Sequence, residues 1–160
     1  MSLIEKEGKT FSEVLSSAFG MISHMSPGDR AALRRGVTGS AYWRVWEGAG
    51  IYAGGEAHTQ NWSRLIQAMA IFVGTSGAQK SLTRDSLGTA IASAGISEGR
   101  FEKMITAPIE IRHELLDRIV RQIAKDQSRI NIQDLASLYL EEEPSRLRDI
   151  SRSFYKSSSL

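Results

Sequence analysis

The 160-residue chain contains no cysteine. That excludes disulfides and thiolate metal sites and agrees with a reducing compartment. It has three prolines, and Pro27, Pro108 and Pro144 each stand where a helix starts, so none argues against a helical chain. No apolar run approaches the ~18 residues needed to span a bilayer, and the N-terminus lacks the basic-then-apolar order of a secretory signal. A cytoplasmic location without a membrane partner is expected. Nor does one charge dominate: 20 Lys and Arg against 18 Asp and Glu leave +2. Net charge therefore does not point to nucleic acid, and the clustering of the basic residues has to be read instead. Apolar–polar alternation and internal repeats are absent as well.

What remains is helical periodicity, with 41% hydrophobic residues to form a core. Thr10-Phe11-Ser12-Glu13 is a capping box, followed by Val14, Leu15, Ala18, Phe19 and Ile22 at helical spacing. Ser26-Pro27-Gly28-Asp29 opens a short basic helix that Gly36 stops. Tyr42, Trp43 and Trp46 crowd the next, where a core role is expected. Trp62, Leu65, Ile66, Met69 and Val73 mark another helix. The polar stretch 74–85 reads as a linker, giving an N-terminal bundle over 1–80 and a C-terminal one over 81–160. In the second, Gly95 and Ser97 break residues 86–107 into a tight helical corner, with Phe101, Met104 and Ile105 on one face. Ala90, Ala92 and Ala94 let a neighbouring helix come close. After Pro108 the pattern predicts one apolar face of Ile111, Leu115, Ile119 and Ile123, widened by Leu116 and Val120. Asn131 caps a further helix, and Pro144 starts the last, with Leu147, Ile150 and Phe154 inward. The fold class is all-α, two small helical bundles joined by a linker.

Catalytic and metal-binding patterns fail on specific residues. Gly74-Thr75-Ser76-Gly77-Ala78-Gln79-Lys80-Ser81 resembles a phosphate loop, but Gln79 replaces the glycine that must precede the lysine. His113-Glu114 begins like a zinc-protease helix, yet the second histidine position is Asp117. His24, His58 and His113 have no ligand partners at suitable spacing and read as surface or capping residues. No nucleophile elbow or dinucleotide fingerprint is present. The expectation is a protein without catalytic activity, cofactor or metal.

The basic residues do cluster. Arg30, Arg34 and Arg35 share the second helix, and Arg118, Arg121 and Lys125 share a face, with Glu110, Glu114 and Asp117 available as partners. Arginine outnumbers lysine, and its planar fork suits phosphate.

The corner carries Leu87-Gly88-x-Ala90-x-Ala92-x-Ala94-Gly95-Ile96-Ser97-Glu98-x-Arg100-Phe101. This resembles the central signature of the small subunit of the type I-E CRISPR surveillance complex Cascade, the CasB family. Leu33-Arg34-Arg35-Gly36 is similar to the family's N-terminal arginine pair, and Ala41-Tyr42-Trp43-Arg44-Val45 to its aromatic helix. The stretch 116–123 is similar to its basic helix, and 132–140 with 150–155 to its closing helix pair. The family often has tryptophan where Ile132 stands, soon after Leu140 and near Ile150. These departures bear on how the second bundle packs.

The resemblance implies a non-catalytic, RNA- and DNA-binding structural subunit in antiviral defence. Its partners would be the guide RNA, the target DNA with its displaced single strand, the backbone and large subunits of Cascade, and a second copy of itself. It would help hold the R-loop open by touching phosphates, since guide pairing reads the sequence. Within the resembling motifs Arg34, Arg35, Arg44, Arg100, Arg118 and Arg121 are the candidate phosphate ligands. Lys103, Lys80 and Arg84 join them on charge and position. The rival from another class is a helical protein-interaction adaptor with no direct nucleic-acid binding.

Overall fold

The structure, a computed structural model, describes residues 9–74, 79–140 and 144–159. Thr75 to Ala78 of the phosphate-loop-like stretch, Glu143 and Leu160 lie outside the described residues. The fold is all-α, and the chain divides into two compact units, Met1–Gly77 and Ala78–Leu160.

In the first unit the helices start and stop where local chemistry dictates. α1 (Phe11–Ser23) opens on the capping box: Glu13 N donates to Thr10 Oγ1 at 3.2 Å and Thr10 N to Glu13 Oε1 at 2.8 Å. Ser26 caps α2 (Pro27–Arg34), and Gly36 ends it at φ 78°. α3 (Ser40–Ala49) ends at Gly50, also left-handed, and α4 (Glu56–Val73) starts a full turn before its apolar pattern does. α1 packs on α3 and α4, and α2 on α4, around Leu15, Ile22, Val45, Trp62, Leu65 and Met69. Trp43 departs from the expected core role. Trp46 is buried at 6% exposure, but Trp43 is 47% exposed. Tyr42 takes the inward position instead, because positions 42, 45, 46 and 49 share the buried face of α3.

The second unit comprises β1 (Ser81–Leu82), α5 (Leu87–Ser93), α6 (Glu98–Thr106), α7 (Ile109–Asp126), β2 (Arg129–Ile130), α8 (Ile132–Leu140) and α9 (Pro144–Ser158). β1 and β2 pair in parallel over two residues each, inside and beyond the stretch expected to be linker. Two residues are too short to show alternation in a sequence. The corner forms as its caps require: Gly95 is left-handed at φ 82°, and Ser97 accepts from Arg100 N at 3.2 Å. α5 lies against α9, and Phe101 of α6 stacks on Phe154 of α9 with centroids 4.1 Å apart.

α7 corrects the expected apolar stripe. Ile111 is 50% exposed and Leu115 half-buried, whereas Arg112, His113 and Asp117 are buried beside Leu116, Ile119, Val120 and Ile123. The helix is rotated toward these polar groups because α8 satisfies them. His113 Nε2 donates to the Tyr139 carbonyl at 2.9 Å, and the Tyr139 hydroxyl donates to Asp117. Arg112 reaches the Ala107 and Leu138 carbonyls. Buried polar groups need such partners, and finding them across 26 residues of sequence is a tertiary event. His113 is thus a packed core residue, its ring stacked on Tyr139, rather than a surface or capping one.

Candidate nucleic-acid interface

The nine candidate cations fall into four situations. In the first unit, Arg35 is exposed just past α2. Arg34 is half-buried, and its Nη1 is buried without a hydrogen-bond partner among the described residues. Burial, reinforced by the charges of Arg30 and Arg35, pulls the Arg34 guanidinium below its usual pKa. A cation so placed gains by meeting an anion. Arg30 does structural work: its Nη1 donates to the Met25 and Ser23 carbonyls at 2.7 and 3.3 Å, closing the end of α1.

Arg44 is already engaged. Its Nη2 donates to Asp29 Oδ2 at 2.7 Å, joining α3 to α2, and that bond holds the Asp29 carboxyl below the usual carboxylate range.

Lys80 is engaged more firmly. Its Nζ donates to the Ala124 and Gln127 carbonyls at 2.7 and 2.8 Å, where α7 ends. The negative end of a helix favours a cation, and the last carbonyls need donors. Burial lowers the Lys80 pKa. Lys80→Met is expected to lower the stability of the second unit by about 1.5 kcal/mol, the loss of charge-assisted bonds to otherwise unsatisfied carbonyls. The salt dependence of nucleic-acid binding should stay as it was, and parallel urea melts and binding isotherms check both halves. Arg84, nearby, has an exposed side chain, while its carbonyl accepts from Asn131 Nδ2 at 3.2 Å.

The fourth situation is a cleft between α6 and α7. Arg100, Lys103 and Arg118 line it together with Leu115 and Ile119, enclosing about 370 Å³. Arg121 stands exposed almost a turn beyond Arg118 on α7. Among the described residues, no carboxylate holds Lys103, Arg118 or Arg121. Asp117, an expected partner, is buried and accepts from Tyr139 instead. Arg100 bonds a neutral amide: its Nη1 donates to Gln122 Oε1 at 3.1 Å, while Gln122 Nε2 donates to the Ala94 carbonyl at 2.7 Å. The end of α5 thereby orients Gln122, and Gln122 orients Arg100. Gln122 was missed in the sequence because a lone glutamine has no local signature. Its only trace is its place one turn after Arg118.

The arrangement can hold anions. Among the described residues no group of three or more His, Asp or Glu is placed to ligate a metal, and no helix is long and apolar enough to cross a membrane. Arg100, Lys103, Arg118 and Arg121 together place positive charge along α6 and α7, a surface on which an anion can sit.

Two solved structures share the fold. One is a chain of E. coli Cascade bound to a PAM-containing double-stranded DNA target, with a TM-score of 0.67, 18% identity, and 89% of this chain and 94% of that chain covered. The other belongs to a CRISPR RNA-guided surveillance complex, with a TM-score of 0.62, 22% identity, and 92% and 91% covered. No curated protein matches in sequence. The family model of CRISPR-associated protein Cse2 matches residues 29–155, a span that takes in both the arginine pair at the end of α2 and the corner with its cationic cleft. The chain belongs to that Cse2 family, the CasB small subunit of type I-E Cascade.

Proposed function

We propose that this Cascade subunit is a non-catalytic nucleic-acid-binding scaffold that stabilises the guide RNA–target DNA R-loop and the displaced strand through arginine–phosphate contacts. The observation that carries this is the convergence of Arg100, Lys103 and Arg118 from two helices on one cleft, with Arg121 continuing the ridge and no carboxylate neutralising Lys103, Arg118 or Arg121 among the described residues. Unpaired cations cost self-repulsion in the free protein, which binding to phosphates relieves. The partners are the guide RNA and target DNA, the backbone and large subunits, and a second copy. The two likenesses to chains of nucleic-acid-guided complexes support this reading.

The test is fluorescence anisotropy of a labelled single-stranded DNA across a salt series, comparing wild type with R100Q/K103Q/R118Q/R121Q. Each phosphate contact contributes about 0.7 to the log–log salt slope on a single strand, so four contacts are expected to flatten it by about 2.8. An unchanged slope would remove the ridge from the interface. The first unit's surface favours the adaptor reading for itself: Arg44 is paired, while Trp43 and Val37 are exposed at 47% and 45%. An exposed tryptophan is a protein-docking feature, and the first unit would then bind neighbouring subunits while the second binds strands.

A further inference from the structure

The cleft between α6 and α7 has a floor as well as a rim, and the floor is not what a phosphate needs. Leu115 and Ile119 line it from α7, and Leu115 is only half-buried, so an apolar surface remains open between three cations. Ile119 is itself packed in the core, so the open apolar surface is that of Leu115. A phosphate has no use for it, whereas a nucleoside does, since a base buries a flat apolar face when it leaves its stack. The volume, about 370 Å³, lies in the range of small-ligand sites, ~300–1,000 Å³. One wall is pre-set: Gln122, fixed on the Ala94 carbonyl, holds the Arg100 guanidinium at the cleft before any strand arrives. A planar guanidinium stacks on bases as well as binding phosphates.

We infer that this cleft is a nucleotide pocket, in which one unstacked base of a single strand lies over Leu115 beside the Arg100 guanidinium while Lys103 and Arg118 hold its flanking phosphates. The inference rests on the nucleic-acid reading above and adds to it a preference for bases that are free to unstack. A duplex presents phosphates without a free base face, so it gains the rim and forfeits the floor. The pocket takes any base, because it offers apolar surface and a stacking plane rather than a fixed donor–acceptor pattern.

The experiment compares the full chain's affinity for an oligothymidylate and for an abasic strand of equal length, across a salt series, by anisotropy. Both strands carry the same phosphates. The thymidylate is expected to bind about fivefold tighter, the ratio given by burying a few tens of square ångströms of base face, and the two salt slopes are expected to be equal. Leu115→Ala should erase the difference while keeping the slope, and Leu115→Met, which keeps the floor apolar, should retain it. Equal affinities for the two strands, with salt-dependent binding intact, would overturn the pocket and leave the phosphate reading standing. A base preference that survives L115A would place the base elsewhere and overturn it as well. Salt-independent or absent binding of both strands would overturn the nucleic-acid reading itself.

Discussion

Gly88→Ala is expected to destabilise the second unit by more than about 3 kcal/mol, the upper end of what overpacking costs when side chains can move aside. Here nothing that can move is in the way. A Cβ on Gly88 would stand 2.0 Å from the Ile150 carbonyl oxygen and 2.7 Å from the Phe154 amide nitrogen, both backbone atoms of α9. Relief requires the α9 backbone to retreat, which would pull Phe154 off Phe101 and so disturb the start of α6, where Arg100 sits. Gly99 is the control: it lies within α6, with nothing within 4 Å of its built Cβ. Gly99→Ala should be neutral or stabilise by about 0.5–1 kcal/mol through a lower-entropy unfolded chain. The readout separates the units. Trp43, Trp46 and Trp62 all lie in the first unit, so tryptophan emission follows that unit and far-UV circular dichroism follows both. In urea the dichroism of G88A should lose part of its amplitude early while the tryptophan transition stays in place. A dichroism curve superimposing on wild type would show that α9 is not seated on Gly88.

Asp134→Ala is expected to cost about 3 kcal/mol, between the price of an unsatisfied buried donor and that of a broken buried ion pair. One carboxylate, 5% exposed, ties three segments. Its Oδ2 accepts from Leu87 N at 2.9 Å at the start of α5, its Oδ1 accepts from Arg146 Nη1 at 3.0 Å in the first turn of α9, and its own amide donates to Asn131 Oδ1 at the start of α8. Alanine orphans the Leu87 amide and removes the charge facing Arg146. Arg146 is 29% exposed and can turn to water, which keeps the loss below the top of the ion-pair range. Asp134→Asn retains an acceptor for Leu87 N but turns its amide NH2 toward Arg146, so it forfeits the charge and the Arg146 bond; with Arg146 able to turn to water, about 1 kcal/mol is expected. Urea midpoints for the pair check the ordering. If Asn were as damaging as Ala, the ion pair rather than the α5 cap would be the tie that matters.

Gly88 lies in the corner that the sequence already singled out, and Asp134 of α8 ties into it at Leu87. The alanines at 90, 92 and 94 read as the reason a helix can approach α5. The approach is real, and at Gly88 it leaves no room for any side chain, since a Cβ there would meet the α9 backbone. Asn131 read as the cap of α8, and its side chain does accept from the amide of Asp134. The structure gives Asp134 two further partners at a separation of 47 and 12 residues.

The candidate interface was legible in the same uneven way. Arg100 and Arg118 came from motif resemblance and Lys103 from charge, and the cleft unites them. Lys80 and Arg44 carried the same charge in the sequence but are held by the α7 carbonyls and by Asp29. A count of basic residues does not distinguish a cation that is free from one that is capping a helix. Leu115 was misread as core for a related reason. The Ile111, Leu115 and Ile119 spacing is helical, but the face that turns inward is set by what α8 can satisfy, and α8 satisfies Arg112, His113 and Asp117.

From the sequence alone came the all-α class, most of the helix starts and stops, the corner at Gly95 and Ser97, and the family, because caps, left-handed glycines and motifs depend on residues within about four positions of one another. Tertiary structure alone decided the rotation of α7, the seat of α9 on Gly88, and which cations are spent. Those depend on partners such as Lys80 and the Gln127 carbonyl, 47 residues apart, whose meeting is settled by packing and not by any local preference.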